Sequence, residues 1–427
     1  MSPLRALALL LALAACAGPS RGVREALRRA DVAAALGAYE RYVEARGDGD
    51  ADLLADIALV TLRRFAGSDD PGERSAGFAA LRSVGPLGVD ALEPLARREG
   101  VVGDLAALTL WEVRGREGPP PQRLRAALRS DDRERRLAGL RSLRPTRNRR
   151  RLLRLLRDDD PAVRAAAAGR LASLRSEPVT EALLAALRDD AVDDVRAACV
   201  RSLGGRGDEV FAPLAAALED RSAFVRMAAP AALVATSLED ARARLLPTLA
   251  TAATPLSVEA ARALAARGDD DAARYLLAVM RGDRAALRAQ AAVAASTLLR
   301  AHGPDLAALL GAEDPELVLR VASALSRAEP HRDAATRALR GLARSPDGFV
   351  AARALQTLAA RGDAGLSEPI RQALASPEAG VRRVAVMAWG ELSGASGDVD
   401  ALAPLLRDED RSVVALAAMQ IILAAAR

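Results

Sequence analysis

The sequence predicts an all-α chain in which helix pairs stack side by side as an α-solenoid, and three observations carry that prediction. The first is a period. The stretch Asp158-Asp159-Asp160-Pro161-Ala162-Val163-Arg164 reads as an acidic turn, a proline and a helix that opens on Val-Arg. With Val163 as anchor, apolar residues recur at Val195, Val225, Leu256, Leu287, Val318, Val350, Val381 and Val413, 30 to 32 residues apart. A fixed period in this range marks stacked repeats, because one such unit is too small to bury its apolar face alone. The second observation is a small side chain four residues after every anchor: Ala167, Cys199, Ala229, Ala260, Ala291, Ala322, Ala354, Ala385 and Ala417. One helical turn puts both on the same face, and the small residue lets the neighbouring helix approach closely. The third is a large apolar residue eight after most anchors, as at Leu171, Leu203, Leu233, Leu264, Leu358, Trp389 and Ile421. Such a stripe has the helical period and reads as buried. Ala295 and Ser326 depart from it, and Leu298 and Leu325 are expected to fill those places.

Composition agrees with close-packed helices. Of 427 residues 51% are apolar but only 2% aromatic, so the core must consist of alanine and leucine between near helices. The repeat argues for one array in which each unit rests on its neighbours, not for several globular domains. Lysine is absent, so all 61 basic residues are arginine, which reads as a compositional bias and not as selection for anion binding. Net charge is +5 with both signs interspersed, the pattern of a solvated helical surface.

In chain order, residues 1–15 read as a secretory leader, with Arg5 before the apolar run Ala6 to Ala15, which is too short to span a bilayer. The run ends in Leu13-Ala14-Ala15-Cys16, which is similar to the bacterial lipobox. That resemblance implies a lipid on Cys16 and, with Ala17 next, an outer-membrane destination. Residues 16–23, with Gly18, Pro19, Ser20 and Gly22, read as a tether. Residues 24–67 carry two helical patterns, Val32 to Ala45 and Ala51 to Ala66, that do not match the repeat and read as an atypical helical N-terminal cap. Residues 68–155 hold about three degenerate repeats. There Asp69-Asp70-Pro71 copies the acidic turn, Arg135-Arg136 stands where Val-Arg is expected, and Pro119, Pro120 and Pro121 stiffen one helix entry. Residues 156–427 are the clear repeats.

The motifs Asp160-Pro161-Ala162-Val163-Arg164, Asp193-Asp194-Val195-Arg196, Phe224-Val225-Arg226 and Gly380-Val381-Arg382 resemble the HEAT-repeat family, in particular the short HEAT-like repeats of bilin lyases. The resemblance implies a HEAT-like superhelix whose second helices line the concave side. Those second helices are expected at Val179 to Leu187, Val210 to Leu218, Arg242 to Leu249, Ala272 to Val279, Leu306 to Leu310, Ala335 to Leu342, Ile370 to Leu374 and Val399 to Leu406. Ser257, Leu319, Ala351 and Val414 replace the arginine after four anchors, which argues against a continuous Asp–Arg ladder. The last helix has no such partner, so Met419, Ile421, Ile422 and Leu423 are expected to expose an apolar end that invites an end-to-end homodimer.

No catalytic constellation emerges. His302 and His331 lie in polar turns and read as loop or capping residues, and Cys199 occupies a small-residue core slot, where a thiol behaves as a small hydrophobe. These residues give no zinc spacing, and Gly204-Gly205-Arg206-Gly207 fits neither phosphate-loop pattern. Cofactors and metals are therefore not expected. Arg-Gly-Asp recurs at Arg46, Arg206, Arg267, Arg281 and Arg361, read as helix ends where glycine turns left-handed and aspartate starts the next turn. The densest basic patch is Arg144, Arg147, Arg149, Arg150, Arg151 and Arg154, a candidate surface for an anion or a partner. It has no aromatic for base stacking, which disfavours nucleic acid. Together these readings predict a non-catalytic scaffold, lipid-anchored in the bacterial cell envelope, that binds an unidentified protein. The alternatives are a bilin-lyase-like enzyme or accessory, and a binder of an anionic polymer through the arginine patch.

Overall fold

The computed structural model describes residues 20–117, 122–396 and 399–426, and every regular element among them is helical. They fall into two compact units. One takes the chain to Leu124 and again from Ser345, and the other is Arg125–Arg344. The lipobox residues Leu13, Ala14, Ala15 and Cys16, and Pro119 to Pro121, lie outside the described residues.

In the Arg125–Arg344 unit the first helices of the repeats pack one upon the next in chain order. They are Arg133–Ser142, Pro161–Leu171, Asp193–Leu203, Ala223–Thr236, Pro255–Ala265, Ala285–Ala292 and Pro315–Leu325. Each is followed by a second helix: Pro145–Leu155, Glu177–Asp189, Phe211–Ala216 between two 3-10 turns, Leu238–Leu249, Asp270–Arg281, the part of Ala295–Ala308 that follows its kink at His302, and Arg332–Leu342. Seven of the eight expected second helices fall wholly or partly on α-helices, and Val399 to Leu406 falls on a 3-10 stretch, Asp400–Arg407. Acidic turns start many of the first helices. The Asp160 carboxylate accepts from the Ala162 and Val163 amides at 2.9 and 3.3 Å, and Asp132 and Asp314 do the same for their own helices. A cap of this kind stabilises its helix by about 1 kcal/mol.

The anchor pattern matches the burial, with two one-residue slips. Val163, Ala167 and Leu171 are fully buried, as are Val195, Cys199 and Leu203. Counted from the N-cap, however, the slot of Val163 is filled by Ser257 and not Leu256, and by Leu317 and not Val318. Ser257 is 1% exposed, and its hydroxyl lies 2.7 Å from that of Tyr275. The apolar stripe is wide enough that neighbours satisfy the period equally well, whereas the cap fixes the register. Leu298 and Leu325 are buried, filling the two places expected of them.

The other unit contains the cap and both chain ends. A helix already begins at Arg21, inside the expected tether, because Val23 and Ala26 are buried as it packs on the Val32–Arg46 helix. Ala51–Ala66 follows within the segment expected to form the cap, and Pro71–Ser83, Val89–Ala96 and Gly100–Val113 lie in the segment expected to hold degenerate repeats. The unit resumes with Gly348–Ala359, Ser367–Leu374, Ala379–Ser396, a 3-10 stretch Asp400–Arg407, and Arg411–Ala425.

The apolar end expected on the last helix is covered. Arg411–Ala425 packs on Ala51–Ala66 and Pro71–Ser83, burying Ile421 and Ile422, with Met419 and Leu423 half-buried. Polar contacts hold the seam. The Tyr39 hydroxyl donates to Asp400 Oδ1 at 2.6 Å while accepting from the Asp50 amide at 2.9 Å, and Arg411 Nη1 donates to Asp70 Oδ1 at 2.7 Å. Burial and the Asp400 carboxylate push the Tyr39 phenol well above its usual pKa, so it remains a donor. The partner helices lie so far back in sequence that reading the repeat locally misses them. The covered face removes the reason for expecting end-to-end pairing.

Candidate binding surface

Arginine is the residue that joins one repeat to the next, and its role depends on what the following repeat offers. Where Val-Arg is followed by a suitably placed aspartate, the guanidinium forks both ways. Arg196 Nε and Nη2 donate to the Asp220 carboxylate at 3.0 and 2.9 Å, while Nη1 donates to the Asp190 and Ala191 carbonyls at 3.0 and 3.1 Å. Arg164 treats Asp190 and its own turn in the same way, and so does Arg382 with Asp408. Arg136 reaches Asp158, and Arg288 reaches Asp314. The planar fork makes such bonds two at a time, which lysine cannot do.

These pairs are largely removed from water, Arg382 and Asp408 being 8% and 5% exposed. The hydrogen bonds from Arg196 hold the Asp220 carboxyl below its ordinary pKa against the opposing effect of burial. At Asp190 burial is the largest influence and acts upward, but the bonds from Arg164 and the Val192 amide together with nearby charges bring the net shift down. The ladder is discontinuous, as expected. Arg226 donates to the carbonyls of its own turn, Asp220 and Arg221, but has no carboxylate partner among the described residues, since Ala252 stands two residues before the next N-cap, Thr254.

Arg206, in the second Arg-Gly-Asp, is 7% exposed and donates to the carbonyls of Ser202, Leu174 and Leu171 and to the Thr180 hydroxyl. It closes the preceding repeat's helix end without any acid. The helix-end reading of the tripeptide holds for Gly47, Gly268 and Gly362, which have φ of 75°, 87° and 75°. Gly282 also closes a helix, Asp270–Arg281, but neither it nor Gly207 is left-handed, their φ of −73° and −106° being open to any residue.

Two clefts in the Arg125–Arg344 unit open against second helices, and they carry opposite charge. One, of about 780 Å³, is lined by Glu177, Glu181, Leu184 and Glu209 together with Arg175 and Arg206. Arg175 is already donating to the Gly204 and Gly205 carbonyls. The other, of about 310 Å³, is lined by Arg125, Leu128, Arg129, Arg151, Arg154 and Leu155, with no carboxylate. The structure thus divides the arginine patch read from the sequence. Arg151 and Arg154 line this cleft, whereas Arg144, Arg147, Arg149 and Arg150 are exposed outside its lining. Arg125 and Arg129 complete the cleft and were not singled out by density of charge. Their signal is the repeat itself, since they belong to the segment one unit before Arg151 and Arg154.

Other candidates stay apart. Cys199 is fully buried, and burial pushes its thiol up to about 12, so it is inert packing. His302 sits at a kink in Ala295–Ala308 with its ring nitrogens 3.1 Å from Asp270 and 3.5 Å from Asp305, and His331 precedes Arg332–Leu342. Among the described residues no group of three or more potential metal ligands converges, and no helix is long and apolar enough to cross a membrane.

Comparison with known proteins agrees with the repeat. Residues 121–204, 180–257 and 336–422 match the family described as HEAT repeats, more than half of the chain. Among solved structures, the Escherichia coli protein YibA is 19% identical with a TM-score of 0.31, covering 69% of this chain and 98% of its own. A mutant of Kap121p is 13% identical with a TM-score of 0.39, covering 94% of this chain and 53% of its own. No curated protein matches the chain. With its helix pairs, capped turns and interrupted arginine ladder, the chain belongs to the HEAT-repeat family.

Proposed function

We propose that this protein is a non-catalytic scaffold, held at the outer membrane of a bacterial cell envelope by a lipid on Cys16, that binds another protein along its row of second helices. The observation that carries the binding reading is the acidic cleft beside Glu177–Asp189. Glu177, Glu181 and Glu209 flank Leu184 there, a mixture of charge and apolar surface suited to a basic, amphipathic protein segment. The anchoring reading rests on Leu13-Ala14-Ala15-Cys16 following a charged start and an apolar run.

Photo-crosslinking from Leu184 in intact cells tests the binding reading, and a discrete crosslinked protein is expected that is lost on Glu177→Arg with Glu181→Arg. Absence of any specific adduct across several second-helix positions overturns it. Labelled palmitate tests the anchor: incorporation is expected in the wild type and not in Cys16→Ser. A stoichiometric spectral change on mixing with a tetrapyrrole would favour the lyase reading instead.

A further inference from the structure

We propose that the cleft between the Gln122–Ala127 and Pro145–Leu155 helices is a binding site for a compact polyanion carrying two or more phosphate groups. Four guanidinium groups line it and no acid does. Arg125, Arg129 and Arg154 have no hydrogen-bonded or ion-paired side-chain partner among the described residues, and Arg151 reaches only the Asn148 amide oxygen, at 3.3 Å. Other arginines of this unit that reach a neighbouring repeat are bound there. Arg164 and Arg196 hold carboxylates, while Arg175, Arg206 and Arg284 hold carbonyls.

The spacing directs the free groups together. Arg125 and Arg129 are four residues apart, and Arg151 and Arg154 three, so each pair projects from one side of its own segment. The floor is Leu128 and Leu155, half-buried and buried respectively. An apolar floor lowers the local dielectric, which strengthens both the repulsion among the empty guanidiniums and their attraction for an anion. Each guanidinium presents a planar fork that fits two phosphate oxygens, so four exceed what a single phosphate can occupy. Arg147 and Arg150, exposed on the same helix, extend the positive field beyond the cleft and steer an anion toward it. No aromatic side chain lines the site, so recognition runs through phosphate oxygens and not through stacked bases.

Titration calorimetry of the full chain with sodium tripolyphosphate at low ionic strength, beside orthophosphate, tests the site. The wild type is expected to bind tripolyphosphate at least tenfold more tightly than orthophosphate, and more weakly as sodium chloride is added. The triple variant Arg129→Gln, Arg151→Gln, Arg154→Gln is expected to lose at least tenfold, and the single variant Arg125→Gln to lose part of that. Arg188→Gln, at an exposed arginine already paired with Asp189, serves as the charge control and is expected to change nothing. Because the triple variant removes like charges whose one bond is that of Arg151 to Asn148, it is expected to melt near or above the wild-type temperature, which separates lost binding from lost folding. Absence of tripolyphosphate binding, equal binding by the triple variant and the wild type, or equal losses in the triple variant and Arg188→Gln overturns the proposal. So does tighter binding of oligothymidylate, or binding confined to phosphatidylglycerol vesicles.

Discussion

Arg196 and Arg151 are the same residue on comparable helical frameworks, yet one is sealed into the structure and the other points into an unfilled cleft. The difference lies one repeat ahead. Arg196 meets Asp220 and the turn carbonyls behind it, so four of its five N–H donors are used. Arg151 is on a second helix, where the adjoining repeat contributes Arg125 and Arg129. In a stacked array the neighbour therefore decides whether a cation is a fastener or a ligand-seeking group. Chemical identity alone does not decide it.

The largest effect should come from breaking a fastener. Arg196→Ala takes the paired guanidinium away from the Asp220 carboxylate, and its donor from the Asp190 carbonyl, and is expected to destabilise the protein by about 3–5 kcal/mol in urea unfolding. The next contrast uses acid. Asp220 and Asp190 have folded pKa values below the ordinary carboxylate range, so their stabilisation is complete above about pH 4, their unfolded value, and is lost as pH falls through the lowered ones. Urea midpoints at pH 7 and pH 3 should differ more in the wild type than in Arg196→Ala, where one pair has already gone. Smaller again is repair of the gap. Ala252→Asp places a carboxylate where Arg226 lacks one and is expected to add about 1 kcal/mol. The smallest change belongs to the cleft, where Arg129→Ala should stay within about 0.5 kcal/mol of the wild type. A loss as large as that of Arg196→Ala would erase the distinction between the two regions.

Much of this was legible in the sequence because helix period and capping act over a few residues. The 30-to-32-residue spacing located the helix pairs, and Asp160, Pro161, Val163 and Ala167 each fill the place their chemistry suggests. The slips at Leu256 and Val318 arose where two adjacent side chains serve the stripe and only Thr254 and Asp314, as caps, fix the register. The cleft was half legible. Density along the chain exposed Arg151 and Arg154, but a site assembled across a repeat boundary needs Arg125 and Arg129 as well, and these stand out only when adjacent helices are laid side by side. The cover over Ile421 was not legible, because its partners in Ala51–Ala66 are joined to it by tertiary packing and not by pattern.

That last contact bears on how the molecule is made. Tyr39 and Asp400 bond across 361 positions, and Arg411–Ala425 supplies part of the burial that the Ala51–Ala66 helix needs. Repeats in the middle mature with their immediate neighbours, but the earliest helices must wait for the latest ones before their apolar faces are shielded. Such pairings carry a long loop-closure delay. During synthesis the nascent amino-terminal segment is thus the portion most in need of a chaperone, and a ribosome stalled before Arg411 would leave it permanently unsatisfied.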